Sequence, residues 1–256
     1  MTNQNQSGIA SHHPILQIKQ MALRRGAFHL EADLCLESGQ HLALFGPSGG
    51  GKSTLLDLIA GFVPQDQGEV RIQGRIMTGL APHLRPVSIL FQEQNLFGHL
   101  TALQNVMLGM HQRTQKTKTT QSIGLQALNQ VELYHYRDKL PHQLSGGQRQ
   151  RVALARALTR SDPLLMLDES FNALGPGQRL QMVQLVAKLA EREHMTVIYS
   201  GHDPLELRDL AIIGAFMDTG RIALMDRLEA LMIKGAHPLI DHYMGWHQDK
   251  PALSKA

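Results

Sequence analysis

The chain has 256 residues and a mass of 28.4 kDa, which is enough to bury a core in one or two domains. Hydrophobic residues make up 43% and charged residues 18%, a balance that excludes an intrinsically disordered chain. The formal net charge of +3 is too small to indicate a nucleic-acid partner. The single cysteine, Cys35, cannot close an internal disulfide, and its strand-like surroundings predict a buried, unreactive thiol.

The sequence predicts no membrane-spanning segment. Residues 1–13 are polar and lack the apolar part of a signal peptide, so we expect the chain to start in the cytoplasm. The most apolar stretches, residues 55–63 and 210–217, are each under half of the roughly 20 residues that a spanning helix needs. Any membrane role is therefore expected to come through a partner.

Strand-like and helix-like hydrophobic patterns alternate along the chain. Several strand-like runs are apolar throughout, as expected for strands buried on both faces of a sheet. The alternation predicts an α/β fold with a mostly parallel sheet. In chain order the predicted elements are strand 16–18, strand 41–45, helix 52–60, strand 70–72, strand 87–91, helix 148–159, strand 164–167, helix 178–192, strand 196–199, strand 212–217 and strand 221–224.

Residues 93–160 interrupt this alternation, because they contain several helical patterns and no convincing strand. One of these helices is predicted to open at Thr101, with Gln104 three residues later in the spacing of a capping box. We interpret the interval as a helical subdomain inserted into the α/β core. In the tail, Trp246 stands beside His242 and His247, which we interpret as local packing and not as a metal site.

A glycine-rich loop lies between the predicted strand 41–45 and the predicted helix 52–60. It fits the phosphate-binding pattern G-x-x-x-x-G-K-[ST] in the strand-loop-helix context that the pattern requires. Glycines let successive N–H groups converge on phosphate, Lys52 would reach the β- and γ-phosphates, and Ser53 would offer a hydroxyl to Mg²⁺. The loop comprises Gly46, Pro47, Ser48, Gly49, Gly50, Gly51, Lys52, Ser53 and Thr54.

Two acidic residues follow the buried strand 164–167. Parallel strands place their carboxyl ends at one edge of the sheet, so Asp168 and Glu169 are expected beside the phosphates. There Asp168 could hold Mg²⁺, directly or through water, and Glu169 could orient and deprotonate the attacking water.

A second helix start has the features of an anion site. Ser145 and Gln148 have the spacing of a capping box, with Gly146 and Gly147 between them, so the first N–H groups of the helix are exposed. The sequence Leu144-Ser145-Gly146-Gly147-Gln148 resembles the signature motif of the ATP-binding cassette superfamily. That resemblance implies head-to-tail dimers in which the signature of one subunit covers ATP on the phosphate loop of the other.

The resemblance implies further site residues and a fold. Gln92, after the strand 87–91, resembles the glutamine that senses Mg²⁺ and the attacking water and that begins the segment contacting membrane subunits. His202 resembles the switch histidine that contacts the γ-phosphate. The implied fold is a P-loop NTPase core with a mostly parallel sheet, an N-terminal antiparallel β region and the inserted helical subdomain. The implied division is an extension at 1–13, an ATPase domain at 14–235 and a tail at 236–256.

Two departures from the superfamily pattern bear on function. The aspartate that normally links the two active sites across the dimer is replaced by Gly175, which puts the coupling between the sites, and with it the rate of hydrolysis, in question. The aromatic residue that normally stacks on adenine has two candidates, Phe28 and the guanidinium of Arg25.

One cassette without a spanning segment is typical of bacterial importers. The segment 85–101, from Arg85 to Thr101, resembles the thiamine-import group of the superfamily. The resemblance implies an ATPase coupled to uptake of thiamine or thiamine phosphate, with ATP and Mg²⁺ as cofactors. It implies a homodimer at the cytoplasmic face of the inner membrane, two permease subunits or one fused permease, and an indirect periplasmic solute-binding partner. Importers of another small solute such as ferric ion, a hydrolysis-impaired regulatory cassette and a non-transport soluble cassette protein remain as alternatives.

Overall fold

The computed structural model describes residues 13–91, 95–110, 118–208, 210 and 212–246. The strands are β1 (Leu16–Arg25), β2 (Phe28–Leu36), β3 (Leu42–Phe45), β4 (Gln67–Ile72), β5 (Arg75–Ile76), β6 (Val87–Leu90), β7 (Leu164–Asp168), β8 (Thr196–Gly201), β9 (Ile213–Asp218) and β10 (Arg221–Arg227). The α-helices are α1 (Lys52–Ala60), α2 (Ala102–Met107), α3 (Lys118–Gln130), α4 (Gly146–Leu158), α5 (Pro176–Arg192), α6 (Leu228–Leu231) and α7 (Pro238–Tyr243).

All ten strands join one sheet in the order β5-β4-β1-β2-β10-β9-β3-β8-β7-β6. The five strands from β9 to β6 pair in parallel and form the core of the sheet. The N-terminal strands pair antiparallel, β1 with β2 and with β4, and β4 with β5. The predicted fold class, an α/β core with a parallel sheet and an N-terminal antiparallel region, is confirmed.

Apolar side chains form two buried clusters, one on each face of the sheet. Along β3, Leu42 and Leu44 belong to one cluster and Ala43 and Phe45 to the other. This division follows because successive side chains of a strand point to opposite faces. Helix α1 contributes to the first cluster, and α2 to α7 contribute to the second. Burial on both faces explains why these strands are apolar throughout.

The expectation of a buried Cys35 is wrong. Along β2 the side chains alternate, so that Leu34 and Leu36 are buried while Cys35 between them is exposed. The surrounding apolar residues indicated the correct element but not the correct face, because a shift of one residue reverses the face of a strand. The thiol is therefore accessible to solvent.

Helices α2, α3 and α4 lie between β6 and β7, and the described part of this interval contains no strand. Helix α2 begins at the predicted capping box, in which Thr101 and Gln104 exchange side-chain hydrogen bonds with each other's backbone N–H groups. The fully buried Asn105 binds the backbone of the preceding turn, at Phe97 and Leu100. The interval is thus held by local polar contacts as well as by the core. Of the helices in the described ranges, none is long and apolar enough to cross a membrane.

Arg85 is buried at the C-terminal end of α1, where helix carbonyls lack intrahelical partners. Only 3% of the residue is exposed. Its Nη1 donates to the carbonyls of Leu58 and Ile59, each at 2.8 Å, and its Nε donates to the carbonyl of Leu80 at 3.0 Å. One guanidinium therefore satisfies three backbone acceptors and joins the end of α1 to the segment that leads into β6.

We expect Arg85→Leu to lower the free energy of unfolding by about 3 kcal/mol, because it removes the Arg85 donor from three carbonyls, of which that of Leu58 keeps the N–H of Gly61 as a second donor. Urea denaturation followed by circular dichroism measures this loss. Arg75→Leu is the matched control, since Arg75 is exposed on β5 and should cost under about 0.5 kcal/mol. Equal losses in the two variants would show that the three hydrogen bonds contribute nothing specific.

Candidate active site

The loop between β3 and α1 has a backbone that requires glycine. Gly46, Gly49 and Gly51 have φ angles of +144°, +76° and +106°, which other residues rarely adopt. At Gly46 an added Cβ would also overlap the backbone carbonyl of Met217 on β9. Gly51 is the N-cap of α1 and makes no side-chain cap, so the first N–H groups of α1 have no acceptor from it. The loop can therefore receive an anion.

The side chain of Lys52 is oriented by hydrogen bonds to the loop that precedes it. The residue is only 4% exposed, and its Nζ donates to the carbonyls of Gly46 at 2.9 Å and Pro47 at 3.0 Å. Burial lowers the pKa of Lys52, while the carboxylates of Glu169 and Asp168 act in the opposite direction. An ammonium has three protons, so one remains for an anionic ligand.

Asp168, the last residue of β7, contacts two hydroxyl groups. Ser53 Oγ at the start of α1 and Ser200 Oγ on β8 each donate to Asp168 Oδ1 at 3.1 Å. A carboxylate beside a hydroxyl is the hard oxygen donor set that Mg²⁺ prefers, and that ion usually takes its other ligands from water and phosphate. The residues present therefore fit a magnesium ion between Ser53 and Asp168.

Glu169 adopts a strained backbone directly after β7. Its φ of +48° lies in the left-handed region, and its N–H donates to the carbonyl of Ser200 at 3.1 Å. One carboxylate oxygen lies 2.9 Å from His202 Nε2. The other oxygen accepts from the side-chain amide of Asn172 at 2.9 Å. Both oxygens are thus oriented by neighbouring loops.

A cavity of about 390 Å³ lies beside the phosphate loop. The aromatic ring of Phe28 forms part of its wall, whereas Arg25, the other candidate for adenine stacking, does not. The two predicted reactive side chains, Glu169 and His202, line the same cavity. The full lining is Phe28, Ser48, Gly49, Gly51, Lys52, Ser53, Thr54, Glu169 and His202.

The signature segment lies elsewhere on the molecule. Ser145 Oγ accepts from the N–H of Gln148 at 3.3 Å and the Gln148 side chain accepts from the N–H of Ser145 at 2.9 Å, so the predicted capping box opens α4. Neither these residues nor Gly146 and Gly147 line the cavity described above. Gln92 lies outside the described residues. A single chain therefore presents the two predicted anion sites at separate places.

The family described as ABC transporter matches residues 30–172, which is more than half of the chain. The chain belongs to the ABC transporter family. It is 46% identical over 206 residues to the Thiamine import ATP-binding protein ThiQ of Vibrio vulnificus, covering 80% of this chain and 88% of that protein. It is 40% identical over 221 residues to the protein of the same name from Vibrio cholerae, covering 86% and 93%.

Solved structures agree with this membership. An ATP-binding cassette described as a dimer in a post-hydrolysis state, bound to ADP and Pi, is 28% identical to this chain with a TM-score of 0.71, covering 83% of this chain and 98% of its own. A cassette in an ADP conformation has a TM-score of 0.80 at 22% identity, over 91% and 99%, and shows the fold alone. As an ABC ATPase, the chain binds ATP and hydrolyses it in transport.

Three residues at this site are absent from the sequence predictions. Ser200 immediately follows the predicted strand 196–199, so the rule that placed Asp168 at a strand end could have found it. Asn172 carries no motif of its own, and its bond to Glu169 depends on the turn between them. Tyr243 on α7 contacts the backbone of Gly46 and His202 from the far end of the chain. No local pattern indicates such a contact.

Gly175, which replaces the usual aspartate, does not need to be glycine. It is the N-cap of α5 with a φ of −66°, and an added Cβ would meet nothing within 4 Å. We expect Gly175→Asp to change the free energy of unfolding by less than about 0.5 kcal/mol, in the stabilising direction, because Asp is a good N-cap. Thermal denaturation measures this. A loss of more than about 1 kcal/mol would mean that the site has a steric requirement for glycine.

Proposed function

We propose that this ABC ATPase energises the import of thiamine or thiamine phosphate. The observation that supports this most strongly is the 40–46% identity to proteins named Thiamine import ATP-binding protein ThiQ, over 80–86% of this chain. The matched region reaches 88–93% of the length of those proteins, so the comparison includes nearly the whole cassette. The cargo would be chosen by other subunits, because the site described here is suited to a nucleotide.

We assign the nucleotide site residue by residue. The loop from Gly46 to Thr54 binds the phosphates, with Lys52 directed at the β- and γ-phosphates, and Phe28 stacks on adenine. Glu169 orients and deprotonates the attacking water, with His202 at the γ-phosphate. The support is that Phe28, Lys52, Glu169 and His202 line one cavity.

A magnesium ion would be held by Ser53 and Asp168, with Gln92 as a further ligand. When bound, the ion would neutralise charge on the β- and γ-phosphates. The hydroxyls of Ser200 and Ser53 both donate to the same oxygen of Asp168, which supports a fixed orientation of that carboxylate.

We propose that two copies of the chain dimerise head to tail. The signature residues Ser145, Gly146, Gly147 and Gln148 would cover the nucleotide on the phosphate loop of the partner copy. Their separation from the cavity within one chain supports this, because an intact site then needs a second copy. The relative described as a dimer bound to ADP and Pi has the same fold.

A groove between the α/β core and the helical interval is our candidate for the surface on which the permease docks. It has a volume of about 360 Å³ and is lined by β6 and by exposed apolar side chains. Phe62 and Phe97 are each 50% exposed and Leu108 is 52% exposed. Apolar exposure of this kind is typical of a docking surface. Docking there would hold the chain at the cytoplasmic face of the inner membrane, with the periplasmic solute-binding protein acting only through the permease.

The test is ATP turnover by the complete transporter in proteoliposomes. The thiamine proposal expects turnover to rise several-fold when the solute-binding protein is loaded with thiamine, and to stay at its basal value with the unloaded protein. Stimulation by a ferric-ion binding protein with its permease, and not by the thiamine components, would replace thiamine by that cargo. ATP turnover that needs no membrane subunit, and that responds neither to the thiamine components nor to the ferric-ion components, would favour a cassette protein outside transport.

A further inference from the structure

The C-terminal helix α7 reaches the nucleotide site through one side chain. The hydroxyl of Tyr243 lies 3.2 Å from the carbonyl oxygen of Gly46, the first residue of the phosphate loop. It makes a shorter hydrogen bond to the carbonyl oxygen of His202. These two residues belong to different loops and are far apart in sequence. Tyr243 therefore bridges the start of the phosphate loop and the segment that carries His202.

The contact of Tyr243 lies directly beyond the end of the pairing between β3 and β8. The pairing of β3 with β8 ends at Phe45 and Gly201, so Gly46 and His202 are the next residues beyond the ladder. Past that point the backbone hydrogen bonds of the sheet no longer hold the two segments together. The Tyr243 hydroxyl contacts the carbonyls of both residues directly after the last ladder pair.

The tyrosine ring is fixed by its surroundings. Its centroid lies 5.3 Å from that of Phe216 on β9 and 6.3 Å from that of Phe45 at the end of β3. Ile240, one turn earlier on α7, is 1% exposed and belongs to the buried cluster. Trp246 packs against the same cluster, in agreement with our interpretation of local packing at this residue. The ring that carries the hydroxyl is thus packed against the strand that leads into the phosphate loop.

One hydroxyl proton serves two carbonyl acceptors. The Gly46 carbonyl also accepts from Lys52 at 2.9 Å, so it has a second donor, and the Tyr243 proton is available to His202. Burial raises the pKa of Tyr243, the carboxylates of Asp203 and Glu169 act in the same direction, and the bond to Gly46 acts against them. The hydroxyl therefore remains a donor at neutral pH.

We infer that Tyr243 is a positioning residue for ATP hydrolysis, whose hydroxyl fixes the backbone of His202 against the start of the phosphate loop. The inference rests on the proposed role of His202 at the γ-phosphate. The Tyr243 side chain itself is not among the residues that line the nucleotide cavity. It acts through the imidazole of His202, which lies 2.9 Å from Glu169 and has to keep a defined place beside it.

The test compares Tyr243→Phe with the unaltered full chain. This variant keeps the ring and removes only the hydroxyl, so we expect the thermal midpoint to change by under about 2 °C. Single-turnover hydrolysis at saturating ATP is expected to slow about tenfold, with the KM for ATP changed less than about twofold. Tyr136→Phe is the control, because Tyr136 is 38% exposed on a surface turn and should leave both values unchanged.

A double-mutant cycle with His202→Ala shows whether Tyr243 acts through His202. Tyr243→Phe should have no further effect on single-turnover rate in the His202→Ala background. If Tyr243→Phe slows hydrolysis tenfold in both backgrounds, the inference is overturned. It is also overturned if the loss of turnover is fully explained by a lower thermal midpoint of the Tyr243→Phe variant. If His202→Ala slows hydrolysis and Tyr243→Phe does not, the inference fails while the role of His202 stands. If His202→Ala has no effect, both fail.

Discussion

Replacing Glu169 by Gln is expected to reduce ATP turnover by about 100- to 10,000-fold while leaving ATP-dependent dimerisation intact. The amide has nearly the shape of the carboxylate and can still accept from Asn172, but it cannot take a proton from water. Both Glu169 oxygens are already oriented in the structure, by His202 and by Asn172, at 2.9 Å each. Single-turnover kinetics measures the loss, and size-exclusion chromatography with ATP measures the dimer.

The matched control for this substitution is Glu191→Gln, on the exposed end of α5. It removes one negative charge at a distance from the site and should leave turnover within about twofold of normal. If Glu169→Gln hydrolyses ATP at the ordinary rate, the general base is another residue. If Glu169→Gln instead fails to bind ATP, the carboxylate has a structural role.

Replacing Lys52 by Ala is expected to weaken ATP binding by about 10- to 100-fold. In the proposed site the ammonium donates a charged hydrogen bond to phosphate, and in the structure it binds the carbonyls of Gly46 and Pro47 to the start of α1. The variant therefore loses both a ligand contact and the support of the loop. Equilibrium titration with a fluorescent ATP analogue measures the dissociation constant.

Lys188→Ala is the control for charge, because Lys188 is exposed on α5 and does not line the nucleotide cavity. Its dissociation constant should be unchanged within about twofold. The two variants are expected to have different defects. Glu169→Gln should bind ATP without hydrolysing it, whereas Lys52→Ala should bind ATP weakly. An unchanged affinity in Lys52→Ala would remove the assigned contact to phosphate.

The site was predictable from sequence to the extent that strand ends determine it. Strands β3, β8 and β7 are neighbours in the sheet; the phosphate loop follows β3, His202 follows β8, and Asp168 is the last residue of β7. Any fold with these strands in parallel brings the three segments to one edge. The predicted helix 52–60 has the bounds of α1, because a glycine-rich loop and Gly61 mark its two ends locally.

The parts that escaped prediction depend on contacts between distant segments. Strand β2 was predicted only around Cys35, although its apolar residues alternate with polar ones along the whole strand. Strand β5 was not predicted, because its two residues are exposed and only the pairing with β4 defines it, and β10 runs beyond the predicted 221–224. The left-handed backbone of Glu169 has no sequence signal, since other residues than glycine rarely adopt it. The bond between Tyr243 and Gly46 joins residues 197 apart. Such a contact becomes visible only when α7 is packed in place.

Uptake of radiolabelled thiamine tests the proposed function most directly. The assay uses cells that lack their own thiamine importer ATPase and that express this chain together with the membrane subunits encoded beside it. We expect uptake to be restored by the unaltered chain and by Glu191→Gln, and to be lost with Glu169→Gln, because transport then depends on hydrolysis at this site. Expression of a chain that still hydrolyses ATP in the assembled complex, without any thiamine uptake, would contradict thiamine as the cargo.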